Sequence, residues 1–244
     1  MNTLATLSAS SAMIGLPQVP ASIPRQGYFL ETVSDAGFPA LCEHRLCGAN
    51  ECEGATCPNC RLPLLQIASL DGKDERLDLL GAPLSRVPLL FCWRCSVSQG
   101  DFSYRLRAGG SSIEILAALR GKPIPDFPYP EYPESFPLEL IYLHAVSEFD
   151  QAVLVRCSLG EDDYELFRRF PQLCKPKHQV GGVPFLFDAQ REVNCPCCGG
   201  QAPLFAAFGD NAGHGLRFTG NDFVQLVFHL CRACRVIAAY QATD

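Results

Sequence analysis

The chain has little of what several functional classes require. Among 244 residues there are one tryptophan, two methionines and five histidines, and only 19% of residues are charged. No run of about 18 apolar residues occurs, so a membrane-spanning helix is not expected. The opening MNTLATLSASSAMIGLP holds no Lys or Arg, and the first basic residue is Arg25. It lacks the basic start and apolar stretch of a secretory signal, so the expected location is cytoplasmic. Basic residues are scarce as well. Apart from Arg168-Arg169 and the Lys175/Lys177 pair they are scattered, and the formal net charge is −6. Phosphate binding needs clustered cations, so nucleic acid is not an expected partner, and a nucleic-acid-binding zinc ribbon is the weaker alternative.

Bulk disorder is excluded by a hydrophobic share of 48%. Nineteen prolines and twenty glycines indicate short strands and many turns rather than a helical bundle.

Cysteine is the residue in excess, with fourteen in the chain. Eight of them form four CxxC knuckles: Cys57–Cys60, Cys92–Cys95, Cys195–Cys198 and Cys231–Cys234. In a reducing compartment such pairs are metal ligands more often than disulfides. The knuckles fall into two quartets, with 31 residues between the second and third cysteines of the first and 32 in the second. Four thiolates suit tetrahedral Zn²⁺, and a knuckle presents two of them from one tight turn. A thioredoxin-type site uses one exposed pair, so two evenly spaced quartets favour two closed structural zinc sites. Cys42, His44, Cys47 and Cys52 form a candidate third ligand set, with an incidental thiol-rich loop as the alternative. Cys197, inside the third knuckle, reads as a buried bystander, with a swap into the ligand set as the alternative; the isolated Cys157 and Cys174 read as small buried hydrophobes.

The duplication extends beyond cysteine. Gly15-Leu16-Pro17 is matched by Gly182-Val183-Pro184. Each is followed by a knuckle, an apolar strand, and a second strand carrying a knuckle at or near its end (VPLLFCWRC and VQLVFHLCRAC). The expected fold is mainly β with minor α: two related β-rich halves packed as one pseudo-twofold unit, each stapled by a pair of knuckles that together offer four thiolates. The expected boundaries are 1–121, a crossing segment 122–178, and 179–244. Within the crossing segment GKPIPDFPYPEYPESFP is too proline-broken for a helix. LELIYLHAV and AVLVRCS read as strands and EDDYELFRRF as a short helix, while SSIEILAALR fits either element.

A Gly-x-Pro element, then CPxC, an apolar strand containing Gln66 and a second knuckle together resemble the YwqG-like bacterial domain family. The stretches HQVGGVP, PLFAAFGDNAG and NDFVQLVFHLC carry the resemblance best. It implies a β-rich fold of two related halves, similar to the eukaryotic programmed cell death 2-type proteins that escort a ribosomal protein before assembly. It supplies no catalytic residue, and the 42–52 cysteine cluster has no counterpart in it.

No nucleophile–base signature stands out, and all-thiolate quartets are closed to substrate, so an enzyme is not expected. Asp126, Glu131 and Glu134 are interleaved with Tyr129 and Tyr132, and Glu161, Asp162 and Asp163 form a second acidic group. Acids steer a cationic surface and rings anchor it, so the expected partner is a basic protein. By analogy the function expected is a bacterial immunity protein that neutralises a toxin, with a chaperone for a basic ribosomal-type protein as the alternative.

Overall fold

The computed structural model describes residues 26–33, 43–77, 79, 84–92, 102–118, 134–159, 164–186, 191–209 and 224–243. Among them eleven strands form one antiparallel sheet. In the first half of the chain lie β1 (Gly27–Thr32), β2 (His44–Leu46), β3 (Leu65–Asp71), β4 (Arg86–Phe91), β5 (Phe102–Arg107) and β6 (Ser112–Ala117). The rest are β7 (Glu139–Ala145), β8 (Gln179–Gly181), β9 (Leu204–Gly209), β10 (Val224–Cys231) and β11 (Val236–Thr243). Their order across the sheet is β4-β3-β2-β7-β1-β8-β9-β10-β11-β5-β6. The fold is mainly β, as the turn-rich composition implies.

Strands β3, β4 and β9 are almost entirely buried, which explains why LQIASLD, RVPLLF and LFAAFG read as unbroken apolar runs rather than alternating ones. The main core gathers Leu46, Ile67, Leu70, Leu89, Phe91 and Phe102 from the first half with Phe205, Phe208 and Phe228 from the second. The three segments expected from sequence are thus regions of one sheet and share one core. Strands β2, β3 and β4 lie on one side of the central β7–β1 pair and β8, β9 and β10 on the other. Beyond β10, however, β11, β5 and β6 extend one side alone, so the strand order does not establish a pseudo-twofold unit.

The sheet curls until its two ends meet, and a buried tyrosine occupies the seam. Tyr104 of β5 donates its hydroxyl to the Pro88 carbonyl of β4 and accepts the Leu90 N–H, both at 2.9 Å. Pro88 has no N–H to offer on that outward edge, which is where a sheet tolerates proline. Next to it the turn between β5 and β6 meets the edge: the Ser85 N–H donates to the Gly109 carbonyl at 2.8 Å. Gly110 sits there at φ +98°, and a Cβ would fall 1.8 Å from the Arg86 carbonyl oxygen, so only glycine fits.

Two sequence expectations change. SSIEILAALR resolves as strand over Ser112–Ala117. AVLVRCS is not a strand but lies in helix α1 (Glu148–Leu159), which precedes α2 (Tyr164–Arg169). Ser147 caps α1 by accepting the Asp150 N–H at 3.0 Å, and Glu148 and Asp150 suit the positive end of its dipole. Val153, Leu154 and Val155 are all buried, so the helix is covered on several sides and shows no 3.6-residue period. Cys174 is buried and Cys157 half-buried in the same small cluster, in line with a packing role.

If the seam holds the curl, Tyr104→Phe leaves a buried N–H and a buried carbonyl unpaired. We expect a loss of about 2 kcal/mol in urea unfolding with an unchanged denaturant slope. A midpoint equal to that of the wild type would show that the sheet ends are held by other contacts.

Candidate metal centres

The knuckle cysteines described gather at the open ends of two hairpins, and Cys231–Cys234 is also the turn from β10 into β11. Antiparallel β3 and β4 pair from Asp71–Arg86 at the turn to Leu65–Phe91 at the far end, where Cys57, Cys60 and Cys92 converge. Strands β9 and β10 repeat the arrangement, with Leu204 opposite His229 next to Cys195, Cys198, Cys231 and Cys234.

The first knuckles of the two groups share one backbone pattern. The Cys57 N–H donates to the Leu62 carbonyl at 2.9 Å and the Arg61 N–H to the Cys57 carbonyl at 2.9 Å. In the second group the Cys195 N–H donates to Gly200 and the Gly199 N–H to Cys195, each at 2.8 Å. Bridges Thr56–Pro63 and Asn194–Gln201 close the two turns identically. The residue after the second cysteine is left-handed in three knuckles: Arg61 (φ 65°), Gly199 (φ 69°) and Arg235 (φ 55°). Glycine takes that conformation without strain, whereas the two arginines tolerate it at a cost, which fits a backbone dictated by the turn.

In each group the thiol sulfurs all lie within 4.8 Å of one another. Cys60 Sγ is 3.7 Å from Cys92 Sγ, and Cys198 Sγ is 3.8 Å from Cys231 Sγ. A disulfide needs about 2.05 Å. Four sulfurs at about 2.3 Å from a tetrahedral ion stand about 3.8 Å apart, the spacing seen here. Both groups can therefore hold a metal ion. The fourth expected ligand of the first, Cys95, lies outside the described residues.

The thiols of the second group differ in how readily they ionise. Burial opposes ionisation of Cys195, but N–H groups of Cys197 and Cys198 and the neighbouring thiols outweigh it and lower its pKa to about 7. Cys234, hydrogen-bonded to the Cys198 thiol and close to Cys231, is instead pushed up to about 12. A dication at the centre of the four sulfurs would favour the thiolate form of Cys195 and Cys234 alike.

Other expected site residues fall elsewhere. The third ligand set is not assembled among the described residues, and Cys42 lies outside them. His44 is buried with both ring nitrogens engaged: Nδ1 accepts the Asp71 N–H at 3.1 Å, so Nε2 bears the proton shared with Asp74 Oδ2 at 2.7 Å. Burial pushes the thiol of Cys47 far up and that of Cys52 to about 11. Cys197 is not buried as expected but exposed, and the Arg105 guanidinium donates to its sulfur at 2.6 Å. Of the acidic and aromatic partner candidates only Glu134 is described, and it is exposed. Asp126, Tyr129, Glu131, Tyr132, Glu161, Asp162 and Asp163 lie outside the described residues.

The contact set around His44 was not foreseen from sequence. Asp74 accepts from Arg76 Nη2 at 2.6 Å, and Arg76 also donates to the Leu143 carbonyl of β7 at 3.1 Å. Burial alone would raise the Asp74 pKa, but the Arg76 and His44 contacts bring it down to about 2. His44 is lowered from its ordinary value, chiefly by burial.

Comparison with family models, with curated proteins and with solved structures finds no match to this chain.

Two outcomes follow from this geometry. Cys60→Ser and Cys198→Ser should each lose about one metal equivalent and destabilise the fold strongly, since metal binding contributes folding free energy. Elemental analysis with thermal unfolding tests this, and wild-type stability with an emptied centre would remove the structural role. The second outcome concerns acid. The folded chain binds fewer protons than the unfolded one at His44 below about pH 6.5 and at Asp74 below about pH 3.9, so stability must fall as pH drops through each range. In metal-saturated protein, His44→Gln should flatten the fall in stability that begins below about pH 6.5. An unchanged fall would assign it to other groups.

Proposed function

We propose that this chain is a zinc-stabilised, non-enzymatic protein-binding protein, and that it acts as a bacterial immunity protein occupying a basic surface of a toxin. Zinc is the ion that suits sets made wholly of thiolate, because it is borderline-soft, redox-inert and content with four ligands. Residues that hold it are Cys57, Cys60, Cys92 and Cys95 in one centre and Cys195, Cys198, Cys231 and Cys234 in the other.

Charge is the observation that carries the reading. The formal net charge is −6. Two tetrathiolate zinc centres take it to about −10, since four thiolates and one dication leave about −2 at each. An acidic body built on one large sheet suits capture of a cationic partner. Histidine chemistry lends catalysis little support: His44 spends both ring nitrogens on Asp71 and Asp74, and Nδ1 of His229 is held at 2.9 Å by the Ala202 carbonyl. The resemblance to the YwqG-like family adds a bacterial setting by analogy alone.

A tagged chain should co-purify one basic protein, and the association rate should fall as salt rises. Charge reversal of Asp126, Glu131 and Glu134 together, or of Glu161, Asp162 and Asp163 together, should slow association and leave unfolding unchanged. Single reversals at a rim cost little, so the triple variants are the fair test. Binding of DNA or RNA in physiological salt, or substrate turnover lost on mutating Cys157, Cys174 or Cys197, would overturn the proposal.

A further inference from the structure

A trough lies on the sheet beside the second metal centre, opened by a row of small side chains. Cross-strand pairing sets Ala117 of β6 opposite Ser103 of β5, and Ser103 opposite Ala238 of β11, so all three project from one face. Larger residues there would fill the space; with these three, a cavity of about 320 Å³ remains. That is within the range of small-molecule sites, about 300–1,000 Å³. Val193 lines it from the stretch leading into the third knuckle. Tyr240 lines it too, with the Arg191 guanidinium carbon 5.4 Å from the ring centroid.

The floor contains a polar group without a protein partner. Ser103 is 4% exposed, and its hydroxyl makes no hydrogen bond. Such a buried group calls for a ligand, an ordered water or another role. Beyond Ala238 the same cross-strand row reaches His229 of β10. Nδ1 of His229 faces the Ala202 carbonyl, which only accepts, so Nδ1 carries the proton and Nε2 is a bare acceptor. Nε2 is also buried and unpartnered. His229 lies one strand beyond Ala238 and does not line the trough, so Ser103 is the unpartnered polar group of its lining. The ionisable side chains lining the trough among the described residues, Arg191 and Glu192, are of opposite sign.

We propose that this trough binds a small, uncharged, planar ligand with a hydrogen-bonding amide or heterocyclic edge. Its flat face would lie over the alanines, and its carbonyl or ring nitrogen would accept from Ser103 Oγ. A charged ligand would gain nothing from walls of balanced charge and would lose its hydration on entering. This site is independent of the partner-binding reading above and of the metal ligands themselves.

Nicotinamide is the test probe, with benzoate as its charged counterpart and cyclohexanecarboxamide as its non-planar one, added to metal-loaded full-length protein. Saturation-transfer NMR should show saturable millimolar binding of nicotinamide and much weaker contact with the other two. Ser103→Ala should weaken nicotinamide binding about tenfold, the order expected for one lost buried hydrogen bond. Ala238→Leu should abolish it by filling the trough, at unchanged metal content. Should that variant not fold, Ala117→Val at the end of the row serves the same purpose. Absence of saturable binding overturns the proposal, and that result includes a hydroxyl satisfied by water only. Equal binding of benzoate overturns it, as does nicotinamide binding that survives the filled trough.

Discussion

Strands hydrogen-bonded side by side end in two edges, and each edge exposes a row of unpaired N–H and carbonyl groups. A sheet of eleven strands cannot stay flat at that width without twisting or curling, and here the curl brings the two ends together. The Tyr104 hydroxyl is the group that makes this meeting possible. It both donates and accepts, so one side chain satisfies the Pro88 carbonyl and the Leu90 N–H of β4. A second stretch extends the seam: the Glu53 N–H donates to the Ser111 carbonyl at 2.9 Å, and the Ile113 N–H to the Glu53 carbonyl at 2.8 Å. With the ends closed, Phe91 of β4 meets Phe102 of β5 edge-on at 6.0 Å, and the core becomes continuous.

The metal centres act on a different weakness. The cysteines of both groups lie where the paired strands β3–β4 and β9–β10 end, away from the links that join them in sequence. A metal ion bound there would tie the two strands together, so they would not separate without breaking metal–sulfur bonds. This accounts for the shared hydrogen-bond pattern at Cys57–Leu62 and Cys195–Gly200. The same local problem arises twice in one sheet, and the same turn solves it.

Such local chemistry is what the sequence makes legible. A knuckle must place two sulfurs on one ion from four residues, so its spacing is visible without the fold. The seam is different: Phe102-Ser103-Tyr104 carries no marker that its tyrosine will reach a strand edge, and β1, β5 and β11 were not foreseen from sequence. Helix α1 was obscured for another reason. Gln151, Val153, Leu154 and Val155 are all buried, which erases the period that marks a helix, although Ser147 and Asp150 offered the signature of its start. Around the 42–52 cysteines, composition did not reveal the role of the one histidine among them. His44 belongs to a buried polar network with Asp71 and Asp74, and its partners lie 27 and 30 residues away.

The two centres are alike in backbone yet unequal in surroundings. Cys57 and Cys92 are part of the main core, at 0% and 2% exposure, among Leu64, Leu65 and Phe91. Cys195 and Cys231 belong to a small separate cluster with Ala202 and Val236, and Cys198 in the same set is exposed. A buried thiolate set without its cation is poorly solvated, so the first centre ties the core to its metal. The second has an exposed rim at Cys198, and there the protein supplies a neighbouring cation. Arg105 of β5 donates to Cys197 beside two of the ligands, a placement that offsets part of the negative charge of a tetrathiolate and anchors the knuckle to the strand that carries Ser103 and Tyr104. Through that one strand, the seam, the trough and the second centre share a support. A disturbance of β5 therefore reaches all three, whereas the first centre feels it only through the core.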